Sequence, residues 1–175
     1  MRTFQTIALI LSLASLFAGC TSTPTATPSA VPASLQAPEG SKAYLEALAS
    51  GVQIYECARK PDSTYAWAFK SPEAALTDRS GRPLGKHYAG PTWEANDASL
   101  VVGEVKARDA GPSPSAIPWL LLAAKSNRGA GTFADAKFVQ RLATVGGVAP
   151  ADACTEATLN SQARIPYSAT YIFYR

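Results

Sequence analysis

In the last residues of the chain, Tyr167, Ala169, Tyr171 and Phe173 alternate with Ser168, Thr170, Ile172 and Tyr174, and this period of two constrains the fold more than any other feature. Side chains point alternately to opposite faces only along an extended strand, so one face of this run is built for burial. The same period returns at Tyr65, Trp67 and Phe69, spaced by Ala66 and Ala68, which puts three rings on one face. Shorter runs rich in β-branched and aromatic residues occupy 42–49, 52–57, 75–78, 84–88, 100–107 and 119–125, between Gly, Pro, Asn and Asp breaks. Ser50-Gly51 reads as a hairpin turn between the first two runs, and 79–82 as a second turn. Prolines at 112, 114 and 118 exclude regular structure between 111 and 118. Residues 132–145 are ambiguous: Ala134, Phe138 and Leu142 would form a helical stripe, whereas 138–144 fits a strand, the better reading of that half. The expected fold is all-β, an antiparallel sandwich or flattened barrel of about eight short strands with little helix.

The other end of the chain bears on where the protein works. Arg2, the apolar run 7–17, Ala18 and Gly19 precede Cys20, the layout of a signal peptide (1–19). Its apolar core falls well short of the roughly 20 residues that a helix needs to cross about 30 Å of hydrocarbon. Phe17-Ala-Gly-Cys20 resembles the lipobox of bacterial lipoproteins, in which the thiol is acylated and becomes the new N-terminus. Thr21 after the Cys, rather than Asp, favours the outer membrane by resemblance to lipoprotein sorting. Residues 20–38 then read as a lipidated Cys with an uncharged tether rich in Pro, Ser and Thr, and 39–175 as a single β domain. The expected location is the cell envelope, on the periplasmic face of the outer membrane, with the membrane itself as partner through the lipid.

Two cysteines remain, Cys57 and Cys154, and in an exported chain such a pair reads as a disulfide, with two buried free thiols as the alternative. A single histidine leaves little for a zinc site, which needs three or four Cys, His or carboxylate ligands. With 16 Lys+Arg against 13 Asp+Glu and a formal net charge of +3, the chain lacks the concentrated basic face of a nucleic-acid binder.

Chemistry-bearing side chains gather in one stretch: Lys86, His87, Tyr88, Trp93, Glu94, Asn96 and Asp97 surround Gly90-Pro91. It offers an imidazole that titrates near neutral pH, a carboxylate pair, an ammonium and an indole. Trp67, Trp93 and Trp119 would line a groove for a sugar or another flat apolar ligand if exposed, or fill the core if not. The candidate ligand-binding set is Lys86, His87, Tyr88, Trp93, Glu94, Asp97 and Trp119, with no catalytic residue assigned.

Five segments carry a family resemblance: Gly51-Val-Gln-Ile-Tyr-Glu-Cys57, Tyr65-x-Trp67-x-Phe69-Lys70, the stretch from Gly85 to Asp97, Ala116-Ile-Pro-Trp-Leu-Leu-Leu122 and the terminal Tyr171-x-Phe-Tyr174. Together they resemble the uncharacterised exported family DUF3455 over nearly the whole domain. The resemblance implies secretion and a single domain, and supplies no catalytic residue. Some fungal members carry a malate dehydrogenase label, but the chain offers little to hold a nicotinamide. Gly129-Ala-Gly131-Thr-Phe-Ala134 fits only a loose dinucleotide fingerprint, and neither a crossover helix nor a further parallel strand is expected after it. Gly81–His87 falls short of a P-loop, with one spacer residue too few and His87 where Ser or Thr belongs. No cofactor is expected. The reading that follows is a non-catalytic envelope module that binds a small ligand, glycan or protein partner; the alternative is an enzyme that uses His87 and Glu94.

Overall fold

The computed structural model describes residues 30–175; the expected signal peptide and Cys20 lie outside them. Eight strands run in chain order: β1 (Ala43–Arg59), β2 (Tyr65–Thr77), β3 (Pro83–Tyr88), β4 (Thr92–Ala95), β5 (Leu100–Asp109), β6 (Trp119–Arg128), β7 (Phe138–Gly146) and β8 (Gln162–Tyr174). Each pairs antiparallel with the next, and β8 pairs back onto β1 from Ala43↔Tyr174 to Glu56↔Gln162. The sheet thereby closes into an up-and-down barrel with no free edge. Of the two expected architectures, sandwich and barrel, the closed barrel is the one formed.

The alternation in β8 does what its pattern requires. Tyr167, Ala169, Tyr171 and Phe173 are buried in the main core, with Trp93, Leu122, Val139 and Leu76 from the other walls. At the end where β8 finishes, the β6–β7 connection tucks Phe133 into the barrel against Phe173, ring centres 4.6 Å apart, and Asn127 fastens this plug by donating to the carbonyls of Phe133 and Ala136. That end is therefore filled by side chains.

Four features differ from expectation. No turn interrupts β1 at Ser50-Gly51, which is one strand of 17 residues. A Cβ on Gly51 would meet the Glu73 carbonyl oxygen at 2.1 Å, so this glycine permits close strand approach rather than a reversal. Likewise 65–70 and 75–78 belong to a single bent strand, β2, and the four-residue β4 was not expected at all. Finally, residues counted as tether lie on the barrel. Ala33–Leu35 forms a short 3-10 turn, Leu35 is fully buried against Trp119, Leu121 and Leu142 on the outer face of β6 and β7, and Gln140 Nε2 donates to the Leu35 carbonyl at 2.6 Å.

The disulfide expected from Cys57 and Cys154 is formed, with Cα atoms 5.4 Å apart. It ties the end of β1 to the β7–β8 connection. Trp67, opposite Cys57 on β2, adds a bond from its indole to the Asp152 carbonyl at 2.8 Å.

Candidate functional site

The cysteine-bridged end of the barrel is open. There the inward-facing residues of the strand ends surround a cavity of about 400 Å³, within the range of small-molecule sites. Its floor is apolar, made by Trp93, Leu120, Leu122 and Val105. Gly103 gives Trp93 its space, since a Cβ there would come within 2.9 Å of the indole. The rim is formed by Phe69, Pro72, the Gly90-Pro91 turn and Ile117-Pro118 of the β5–β6 connection. Phe69 stays 55% exposed, edge-on to Tyr55 at 5.8 Å.

Behind this apolar wall several polar side-chain atoms have no hydrogen-bond partner. Gln53 Nε2, the Tyr167 hydroxyl and the Tyr171 hydroxyl are buried without one. Tyr167 lies beside Gln53 and Tyr171, and Tyr171 beside Arg141, without forming a hydrogen bond of proper geometry. Burial raises the ionisation of both tyrosines far above the usual phenol range, so both are neutral donors. Unsatisfied buried donors are costly and rare, and these three sit together behind the cavity wall rather than open to it.

Arg141 occupies an inward position of β7, opposite Leu120 on β6 and Tyr171 on β8. Its Nε and one terminal nitrogen donate to the Pro118 carbonyl at 3.1 and 2.8 Å, which leaves three of the five guanidinium N–H groups uncommitted to it. Arg108 faces Leu120 from the other side, on β5. Arg108, Leu120, Arg141 and Tyr171 thus form a row across four adjacent strands.

His87 is the buried polar residue of the opposite wall. It is 2% exposed, stacked on Trp93 with ring centres 4.5 Å apart, and its Nδ1 lies 2.8 Å from the Thr92 carbonyl. A carbonyl only accepts, so Nδ1 carries the proton and Nε2 holds a lone pair. Desolvation lowers its pKa to about 3, with a smaller lowering contribution from Arg141 and an opposing one from the Thr92 bond. The ring is neutral through the physiological range.

The expected cluster is divided by the barrel wall. His87 and Trp93, directly opposite across the β3–β4 hairpin, face inward and line the cavity. Lys86, Tyr88 and Glu94 face outward as a group of their own: Tyr88 donates to Glu94 at 2.6 Å and Lys86 pairs with Glu94 at 3.2 Å. The joint use of His87 and Glu94 that the enzyme alternative requires does not form. Asp97 lies at the plugged end, where it accepts from Ser99 and from the Thr132 amide and hydroxyl; these bonds hold its carboxyl well below the usual range. The three tryptophans share no groove. Trp93 is interior, Trp119 is buried outside the barrel beneath Leu35, and Trp67 caps the disulfide. Gly129 and Gly131 sit in the β6–β7 connection, followed by turns rather than a helix. Among the described residues, no three His, Cys, Asp or Glu side chains gather as a metal site.

Reading the sequence missed Gln53, Arg108, Arg141 and Tyr171 as site residues. Each is a single inward position on a different strand, and only closure of the barrel assembles them.

Fold and cavity together define a closed eight-stranded antiparallel barrel, plugged at one end and hollow at the other. The chain belongs to the family described as "Protein of unknown function (DUF3455)", whose model matches residues 38–175. Neither a curated protein nor a solved structure matched the chain.

Proposed function

We propose that this protein is an exported, non-catalytic binding module that takes a small molecule into the open end of its barrel. The observation that carries the reading is the open cavity of about 400 Å³ with an apolar floor of Trp93, Leu120, Leu122 and Val105 and with Arg108 and Arg141 on its wall. An apolar pocket with a few convergent polar groups is the usual form of a small-ligand site. A glycan or protein partner would instead call for an exposed aromatic platform, and two of the three tryptophans are buried.

The leader and Cys20 support an acylated N-terminus in the envelope membrane. With Val31 and Leu35 seated on the barrel, ten residues (21–30) separate the lipid from the domain, a reach of about 31 Å if extended. Labelling with a palmitate analogue tests the anchor: the wild type takes it up and Cys20→Ala does not.

Binding is tested by ligand-observed NMR with a fragment set of small aromatic and aliphatic acids, alcohols and amines. Val105→Trp, which puts an indole into the cavity, is expected to abolish the hits while the β-sheet circular dichroism is retained. Hits unchanged in Val105→Trp place binding elsewhere and contradict the proposal.

A further inference from the structure

We infer that the ligand of this barrel carries a carboxylate on an apolar body, and that Arg141 receives it inside the cavity with Arg108 guiding it at the mouth. This rests on the reading of the cavity as a binding site and adds its chemical class.

The first argument is charge. Arg141, Arg108 and Lys70 line the cavity, and no Asp or Glu does. Lys70 is committed to Glu56 at 2.6 Å, but neither arginine is in an ion pair among the described residues. Arg141 is half-buried and Arg108 exposed, so both guanidinium groups keep part of their hydration and can exchange it for an anion at the cavity wall. The Pro118 carbonyl supplies a dipole to the Arg141 guanidinium, not a compensating charge.

The second argument is geometry. Arg141 stands directly opposite Leu120 on one side of β7, Arg108 stands opposite the same Leu120 from β5, and both arginines line the cavity. Both are donors facing the same space. A planar guanidinium edge with uncommitted N–H groups suits a carboxylate, which accepts at four lone-pair sites. An alcohol would leave most of these donors unmet, and an ammonium would add to the positive field. The body of the ligand would then lie against Trp93, Leu120, Leu122 and Val105.

The test compares matched probes of three sizes: benzoate, 1-naphthoate and octanoate, each with its alcohol and its ammonium analogue, by calorimetry on the full folded domain. Wild type is expected to prefer each fitting carboxylate over its alcohol by about tenfold to a hundredfold, the range of a charge-assisted bond set, and to reject the ammonium. Arg141→Met is expected to bring the carboxylate down to the level of the alcohol without weakening the alcohol. Since Arg141 also holds the 117–118 segment, Arg108→Met provides a second variant that keeps that contact; it should weaken the carboxylate several-fold and leave the alcohol as it was. Equal affinity for acid and alcohol in wild type, unmoved by either variant, overturns the carboxylate assignment and leaves the cavity reading intact. Binding of none of the nine probes overturns both.

Discussion

The carboxylate of Asp97 occupies the space that a side chain on Gly131 would need: a Cβ there would come within 2.4 Å of Asp97 Oδ2. Oδ2 accepts from the Thr132 amide at 2.8 Å and from its hydroxyl at 2.7 Å, so the β4–β5 and β6–β7 connections are latched together beside the Phe133 plug. Gly131 also has φ +136°, which side chains rarely adopt. Gly131→Ala is expected to cost about 1–3 kcal/mol in urea denaturation. Asp97→Ala is destabilising too, and the double variant should lose less than the sum, since removing the carboxylate relieves the clash. Strict additivity would contradict this coupling.

His87 gives the fold a pH dependence of determinate sign. Its pKa is near 6.5 in the unfolded chain and about 3 in the barrel, so between these values the unfolded state binds the extra proton. Stability from this group is complete above pH 6.5 and falls by about 1.4 kcal/mol per unit as pH drops toward 3. Between pH 7 and 5, where most carboxylates stay ionised, wild type should lose about 2 kcal/mol in chemical denaturation and His87→Gln should not. A flat wild-type profile would show that the imidazole is hydrated.

The disulfide spans a sequence separation of 97 residues. Chain-entropy arguments give an upper figure of about 4.7 kcal/mol for such a loop, and measured gains are often smaller. Thermal melting with and without reductant should show a clear drop in Tm for wild type and none for the Cys57→Ala/Cys154→Ala variant, which already melts low.

The N-terminal strap is part of the stable domain. Leu35 is fully buried, and Leu35→Ala is expected to cost about 2–4 kcal/mol by loss of packing on Trp119, Leu121 and Leu142. A chain that starts at residue 39 should melt lower still, because Trp119 is uncovered and Gln140 loses the Leu35 carbonyl. Equal melting of chains starting at 30 and 39 would place the domain boundary where composition alone puts it.

How far the sequence speaks depends on whether its signal is local. The alternation of 167–174 is local, so the inward set of β8 can be read off directly, and the two mature-domain cysteines announce their own bridge. Ser50-Gly51 misleads because glycine serves both turns and close strand approach, and only the position of Glu73 on the neighbouring strand decides between them. β4 has four residues hemmed by Gly90-Pro91 and Asn96-Asp97, too short for a period to show. In the candidate site, His87 and Trp93 are legible as a pair because one hairpin carries both. Its alternation also explains why Lys86, Tyr88 and Glu94 face away. Arg108 and Arg141 are 33 positions apart in an otherwise unremarkable background of surface charges; their alignment on Leu120 exists only once β5, β6 and β7 are in register.

The most direct test of a small molecule entering this barrel uses its three indoles as reporters. In an 15N-tryptophan-labelled sample titrated with 1-naphthoate, the Trp93 indole N–H, partnerless in the cavity wall, is expected to shift progressively to saturation. The Trp67 indole, bonded to the Asp152 carbonyl, and the Trp119 indole on the outer face beneath Leu35 should stay in place. Movement of Trp67 or Trp119 with Trp93 unmoved, or no movement of any of the three up to the solubility of the probe, would contradict a binding site within the barrel.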